Sequence, residues 1–284
     1  MKLGYYPGCA LEGSSYEYAK AVERVLREIG VELVQIEDWN CCGASAAHST
    51  NHKLAVALPY RNLATARAQG LTEIFAPCPF CSKTHITTNH EITENPALKS
   101  EMRSATGLDY DGSLKIINSV AVFDMFMDKL VSKINPERLR GLKVACYYGC
   151  LLVRPPKLLK YDNPEQPVMM DQVVAKLGAQ PVDWEYKVEC CGGGFTICDE
   201  PAVLELSRKI LEDARDNGAR AIIVACQMCQ VNLDMRQKNI EKRYNTRFNM
   251  PIIYLPQLIG LAMGINPKEL GLDVHFVPTE PILK

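Results

Sequence analysis

The sequence predicts an α/β protein made of two similar Rossmann-like domains, the first over residues 1–140 and the second over 141–284. Short apolar strands alternate with amphipathic helices through both halves, a pattern typical of parallel sheets covered by helices. Five cysteines recur in each half, spaced C-x31-CC-x35-C-x2-C and then C-x39-CC-x34-C-x2-C. This repetition predicts two domains related by a pseudo-twofold axis, each with a parallel sheet of about four strands.

In the first half, predicted strands cover 2–6, 31–36, 73–77 and 114–119. Ser14 and Glu17 have capping-box spacing, so we expect a helix to begin there and to end at Gly30. Another helix is predicted over about 51–69. Each cysteine of this half follows a predicted strand. The first cysteine set is Cys9, Cys41, Cys42, Cys78 and Cys81.

The second half repeats this order of elements. Predicted strands cover 142–148, 181–184, 219–226 and 251–255, and predicted helices cover about 168–177, 200–217 and 228–243. The segment 154–167 is an insertion, which accounts for the longer first spacing. The second cysteine set is Cys150, Cys190, Cys191, Cys226 and Cys229.

Composition limits the classes of function. A net charge of -1 over 284 residues gives no sign of a nucleic-acid surface. The apolar stretches are too short to span a bilayer, and no signal peptide is recognisable, so we expect a cytoplasmic protein without a membrane segment. Cytoplasmic thiols stay reduced, and clustered ones usually bind metal or carry out redox chemistry.

The predicted fold places both cysteine sets at ligand-binding edges. Ligands of open α/β sheets bind beyond the carboxyl ends of the strands, where helix N-termini also favour thiolates. Gly43 and Gly192, which follow the two CC pairs, leave room for a bulky inorganic group. We therefore expect two metal sites that face one cleft.

Four interpretations of the cysteines remain open from spacing alone. A disulfide framework is atypical of a large cytoplasmic chain. Structural zinc uses four ligands, often as paired knuckles, whereas each half offers five thiols with two of them adjacent. A redox C-x2-C dithiol leaves the CC pairs without a role. Iron–sulfur binding uses every repeated thiol, although the spacing is not that of a ferredoxin.

The duplicated pattern resembles the cysteine-rich CCG domain, and over nearly its whole length the chain is similar to the B subunits of methanogen heterodisulfide reductases. The resemblance implies two noncubane [4Fe-4S] clusters, one on each cysteine set, which reduce the coenzyme M–coenzyme B heterodisulfide to two thiols. CCG domains also occur in subunits for lactate or glycolate oxidation and in thiol:fumarate reductase. An electron-transfer subunit of another oxidoreductase therefore stays open as the alternative.

The resemblance also implies partners: a ferredoxin-like subunit, a flavin-containing subunit, and a hydrogenase or formate dehydrogenase. Its substrate is a small anionic disulfide, so we expect cationic residues near the cysteines. The substrate candidates are Lys83, Arg154, Lys157 and Lys187.

Two histidines are catalytic candidates. His48 and His85 align with Ile197 and Leu233 in the repeat, so each is polar in one half only. Such residues suit proton supply to an asymmetric substrate. Cys146 and Cys198 lie outside the repeat, and we expect both to be buried spectator thiols.

Overall fold

The computed structural model describes residues 1–282 and contains two parallel four-stranded sheets, one in each half. The last two residues of the predicted second domain, 283–284, lie outside the described residues. The strands are β1 Lys2–Tyr5, β2 Glu32–Gln35, β3 Glu73–Phe75, β4 Lys115–Ile117, β5 Lys143–Tyr147, β6 Gln180–Pro181, β7 Ala221–Val224 and β8 Ile252–Tyr254.

Both sheets have the same topology. The first has the order β2-β1-β3-β4 and the second β6-β5-β7-β8, with every pairing parallel. β7 is buried at all four positions, as expected of a strand covered by helices on both faces. The predicted fold class and the four strands per half are therefore confirmed, while the exact division at residue 140 stays a prediction.

Fourteen α-helices connect and cover the sheets within the described residues. In the first half they are α1 Gly8–Glu12, α2 Tyr16–Glu28, α3 Ala46–Thr50, α4 His52–Ala68, α5 Pro79–Glu94, α6 Pro96–Thr106, α7 Ser119–Met125 and α8 Met127–Val131. In the second half they are α9 Pro156–Leu159, α10 Met169–Lys176, α11 Glu200–Asp216, α12 Gln227–Gln230, α13 Gln237–Tyr244 and α14 Leu255–Met263.

Two local expectations were wrong. The residue that caps α2 is Ser15, which makes no side-chain cap bond, so Ser14 and Glu17 form no capping box. The helix expected over 228–243 is interrupted by a π-turn over Val231–Met235 between α12 and α13. The turn draws polar side chains inward, and such π-turns often accompany functional sites.

The two halves meet around Tyr18 of α2. Its ring stacks on Tyr254 at the end of β8, with centroids 4.2 Å apart and planes 3° from parallel. The Tyr18 hydroxyl lies 3.4 Å from the carbonyl oxygen of Pro77 and 3.3 Å from that of Ala225. Those carbonyls directly precede Cys78 and Cys226, so one buried side chain contacts the backbone of both C-x2-C segments. Across residues 1–282, no helix has both the length and the apolar character needed to cross a membrane.

Candidate metal centres

The first cysteine set assembles at the carboxyl edge of the first sheet. Cys9 lies in α1, the CC pair lies in the loop after β2, and Cys78 is the residue before α5. The Sγ atoms of Cys9 and Cys41 are 3.9 Å apart, and those of Cys42 and Cys81 are 3.4 Å apart. Residues more than thirty positions apart along the chain are therefore in sulfur–sulfur contact.

The second cysteine set repeats this arrangement on the second sheet. Cys226 precedes α12, and the Sγ atoms of Cys191 and Cys229 are 3.7 Å apart. The thiol of Cys190 accepts a hydrogen bond of 3.3 Å from the backbone N–H of Gly192. All ten cysteines predicted as ligands thus lie at the carboxyl ends of the strands, five on each sheet.

A glycine before the first cysteine of each set makes room for a thiol. Gly8 and Gly149 have left-handed backbones, with φ of +72° and +64°. A Cβ atom at Gly8 would lie 3.1 Å from the Sγ of Cys81, and one at Gly149 would lie 3.1 Å from that of Cys229. Both the conformation and the close approach require glycine at these positions.

A tyrosine hydroxyl bonds the backbone just before each CC pair. We did not predict this contact from the sequence. The Tyr6 hydroxyl donates to the carbonyl of Asn40 at 2.9 Å, and the Tyr147 hydroxyl donates to that of Glu189 at 2.6 Å. Both acceptors directly precede a CC pair. The signal was available, because YPGC and YYGC place a tyrosine three residues before the first cysteine of each set.

The thiols within each set have divergent acidities. Hydrogen bonds from Cys41 and Cys81 lower the pKa of Cys42 to about 3, although burial opposes the shift. A hydrogen bond from Cys150, helped by backbone N–H groups, lowers the pKa of Cys190 to about 6. Hydrogen bonds to Cys191 and Cys226, followed by burial, raise the pKa of Cys229. Each set therefore has one thiol of the CC pair that favours the thiolate form, which is the form that binds metal.

The donor set fits a thiolate-bound cluster. Each site offers five thiols and a glycine-lined approach, and sulfur is the ligand that iron–sulfur clusters use. Within the described part of the chain, no three side chains of the metal-binding types surround a single point as the ligands of one ion would. The thiols contact one another in chains, since Cys42 bonds both Cys41 and Cys81, and this differs from the four separate ligands of a tetrahedral structural zinc site.

The two candidate histidines differ in environment. His85 of α5 is fully buried, and its Nδ1–H donates to the carbonyl of Cys81 at 2.7 Å. Its Nε2 lies 3.5 Å from the Asn62 amide nitrogen and accepts from it, and burial lowers the pKa of His85, so the ring is neutral. Asn62 also bonds both backbone groups of Asn40, so this network supports the loop before Cys41. His48 is exposed on α3.

Two of the four candidate cations are paired with carboxylates. Lys187 is a correction to our expectation, because its ammonium is buried and bonds the Asp171 carboxylate at 2.8 Å. Arg154 bonds both carboxylate oxygens of Glu165, at 3.1 and 3.0 Å. Lys157 is exposed on α9, and Lys83 is half-buried on α5. None of the four lines the cavity beside the second cysteine set within the described residues.

That cavity has a volume of about 190 Å³ and is lined by all five cysteines of the second cysteine set. Glycines and apolar groups form the rest of its wall, and Tyr148, Leu151 and Met228 come from the second half. The first half contributes Pro79 and Phe80 from the start of α5. The cavity therefore opens onto one cysteine set and not onto both, and its wall is apolar.

The two spectator thiols also differ. Cys146 of β5 is fully buried, as expected, and burial raises its pKa. Cys198 is exposed, so the expectation that it is buried was wrong. The reason is its place on the loop between the second CC pair and α11, which lies outside the core.

The family described as CCG, cysteine-rich domain, matches residues 3–85 and 144–234, which hold all ten cysteines. The chain belongs to this family. The two matched segments each contain one complete cysteine set, so the duplication seen in the sequence is a duplication of the CCG domain.

Curated relatives of the CCG chain are subunits of reductases. It is 30% identical to the 8-methylmenaquinol:fumarate reductase membrane anchor subunit of Wolinella succinogenes, covering 97% of both chains. It is 28% identical to the B subunit of the ferredoxin/F(420)H(2)-dependent CoB-CoM heterodisulfide reductase of Methanosarcina acetivorans, covering 97% of this chain and 94% of that one.

A solved structure shares the fold. The crystal structure of a hypothetical protein from Helicobacter pylori aligns with 98% of this chain at a TM-score of 0.77 and 14% identity. This chain covers 52% of that protein. Together with the CCG family and its reductase relatives, the ten thiols support iron–sulfur clusters as the groups that these centres hold.

Proposed function

We propose that this chain is an iron–sulfur electron-transfer subunit of a multi-subunit oxidoreductase, and that an apolar redox substrate of the quinol class binds over its second cysteine set. The apolar side chains around the second cysteine set carry the choice of substrate class. The five thiols would hold the cluster, and beside them lie Phe80, Leu151 and Met228, with no lysine, arginine or histidine of the described residues in the same wall. An apolar pocket next to redox ligands suits a ring compound better than a multiply charged one. The relative named as a methylmenaquinol:fumarate reductase subunit supports the same substrate class.

Each cysteine set would hold one noncubane [4Fe-4S] cluster, a group that exchanges one electron at a time. Cys9, Cys41, Cys42, Cys78 and Cys81 would bind the first cluster, and Cys150, Cys190, Cys191, Cys226 and Cys229 the second. The chain supplies apolar contacts from Phe80 and Met228 that hold a substrate against the second set. A quinol that loses two electrons also releases two protons. The apolar wall offers no group to accept them, so they would leave through the open side of the cavity. A flavin-containing subunit is the expected partner.

A second candidate is reduction of the coenzyme M–coenzyme B heterodisulfide, with a ferredoxin-like subunit, a flavin-containing subunit, and a hydrogenase or formate dehydrogenase. The duplicated set of five thiols and the heterodisulfide reductase relatives favour it. This reaction consumes two electrons and two protons for each disulfide. Against it, the candidate cations Arg154 and Lys187 are held by carboxylates.

The two candidates separate in one experiment on the complex purified anaerobically from its native host. The complex is given a soluble naphthoquinol with fumarate, or reduced viologen with the heterodisulfide. We expect quinol oxidation and no release of coenzyme thiols.

Replacement of Phe80 with Ala removes an apolar wall and should raise KM for the quinol several-fold. Phe276→Ala is the matched control, because Phe276 is exposed and does not line the cavity. Heterodisulfide reduction without quinol oxidation would establish the second candidate instead.

A further inference from the structure

Asn232 is a buried amide directed at the second cysteine set. It lies in the π-turn three residues after Cys229 and is fully shielded from solvent. Its Nδ2 is 3.0 Å from the carbonyl oxygen of Cys191 and 3.7 Å from the Sγ of the same residue. The orientation of the amide follows from chemistry, because a carbonyl only accepts hydrogen bonds and must therefore face the NH₂ group.

Neighbouring groups hold the amide in place. Its Oδ1 lies 3.1 Å from the Thr196 hydroxyl, on the loop that follows the second CC pair. The Ser207 hydroxyl is a second donor to the Cys191 carbonyl, at 3.3 Å. Asn232 is thus bound on both sides and cannot turn away from the Cys191 sulfur without losing these contacts.

The first half has no equivalent donor at this position. Thr84 occupies the same place in the repeat, three residues after Cys81. Its hydroxyl donates to the carbonyl of Phe80 at 2.8 Å, within its own helix, and not to a thiol. The amide–sulfur contact is therefore specific to the second half, which is also the half with the cavity.

An N–H group that points at a ligand sulfur stabilises negative charge on that sulfur. A reduced iron–sulfur cluster carries one more negative charge than an oxidised one, so such a donor favours reduction. We infer that Asn232 is a positioning residue that acts through Cys191 to raise the reduction potential of the second centre. This rests on the proposed function only in requiring a cluster on the second cysteine set.

The test is a potentiometric titration of the intact complex followed by electron paramagnetic resonance. Spectra of Cys41→Ser and Cys190→Ser first assign the signals of the two centres. Asn232→Leu should shift the potential of the second centre downward and leave that of the first unchanged, so the first centre is an internal control. Ser207→Ala is the matched variant, because it removes a donor to the Cys191 carbonyl and none to the sulfur.

Asn232→Ala removes the same N–H donor without adding a charge and needs no extra space, so it should lower the same potential even if the leucine variant assembles poorly. An unchanged second-centre potential in variants that retain full iron content would overturn the inference. A shift of equal size in Ser207→Ala would overturn it too, because backbone placement would then be the cause. A wild-type complex with no cluster in the second half would refute the proposed function as well, and iron analysis distinguishes that case.

Discussion

The hydroxyl of Tyr147 donates a 2.6 Å hydrogen bond to the carbonyl of Glu189, the residue before the second CC pair. The Tyr6 hydroxyl makes the same contact with Asn40 in the first half. Tyr147 is the last residue of β5 and Tyr6 directly follows β1, and each acceptor lies in the loop after the neighbouring strand, β6 or β2. One bond in each half therefore ties the first cysteine of a set to its CC pair.

Replacement of Tyr147 with Phe should loosen the second cysteine set without unfolding the chain. The carbonyl of Glu189 loses its donor, and a hydrogen bond of this kind contributes about 0.5–1.5 kcal/mol. We expect faster loss of iron from the second centre under a chelator, with the first centre unaffected. Tyr6→Phe should give the reverse pattern, and equal loss from both centres in either variant would contradict the assignment.

The iron content should follow the two cysteine sets. Two four-iron clusters correspond to about eight irons per chain, and loss of one leaves about four. Cys41→Ser should therefore halve the iron and sulfide content, and Cys190→Ser should do the same. Their spectra should be complementary. Cys146→Ser is the control, since Cys146 lies in the core of β5 and outside both sets. Zinc in place of iron after anaerobic purification would refute the cluster assignment.

The sequence predicted the fold well because its signals were local and repeated. Strand and helix periodicity located seven strands, and the repeat placed β6 within one residue of its two-residue span, Gln180–Pro181, although it was expected over 181–184. The duplicated cysteines aligned the two halves. The capping box at Ser14 failed because a neighbouring residue, Ser15, became the first non-helical position. The π-turn after Cys229 could not be predicted from the hydrophobic periodicity of the helix, because it depends on contacts of Asn232 and Asp234 with distant segments.

The sequence predicted which thiols form the two sites but not which residues surround them. Spacing identified the thiols, but charge near a cysteine in sequence did not predict charge in the cavity. Lys187 lies three residues before Cys190, yet its side chain turns to Asp171, a residue sixteen positions earlier. Only tertiary structure brings that carboxylate close. Tertiary structure likewise brings Phe80 of the first half to the cavity beside the second cysteine set.

The buried pair of Lys187 and Asp171 gives a stability prediction. Asp171 also accepts a hydrogen bond from the Tyr148 hydroxyl at 2.7 Å, so its carboxylate supports the segment before Cys150. Lys187→Met leaves that carboxylate buried without its partner and should reduce the free energy of unfolding by about 3–5 kcal/mol. Urea unfolding measures the loss.

Two comparisons test the origin of that loss. Lys187→Met combined with Asp171→Asn removes both charges and should recover much of the stability. Lys157→Met removes an exposed charge of the same kind and should change stability by less than about 0.5 kcal/mol. If the double variant is as unstable as the single one, the effect comes from packing and not from the buried charge.

Asp234 makes the hold on the segment around Phe276 depend on pH. Asp234 accepts hydrogen bonds of 2.9 Å from the backbone N–H groups of Phe276 and Val277, and burial raises its pKa from 3.8 to about 6. Between pH 3.8 and about pH 6, Asp234 is therefore protonated in the folded state and ionised in the unfolded state. Stability from this group is complete below pH 3.8 and falls as pH rises through 6, by about 3 kcal/mol.

His275, which lies beside Asp234, titrates in the opposite sense. Burial lowers its pKa from 6.5 to about 4, so its contribution is present above pH 6.5 and is lost as pH falls through 4. The two groups offset each other in the wild type. Asp234→Asn removes one of them, and the wild-type advantage in unfolding free energy over this variant should grow as pH falls from 7 to 4.5.

His275→Gln provides the opposite comparison, because the wild-type advantage over it should shrink across the same interval. The hydrogen bond that Asp234→Asn loses to Phe276 or Val277 costs the same at every pH, so it cannot imitate the trend. Urea unfolding at four or five pH values separates the constant cost from the titrating one. Parallel pH profiles for the wild type and Asp234→Asn would mean that Asp234 does not hold its proton in the folded protein.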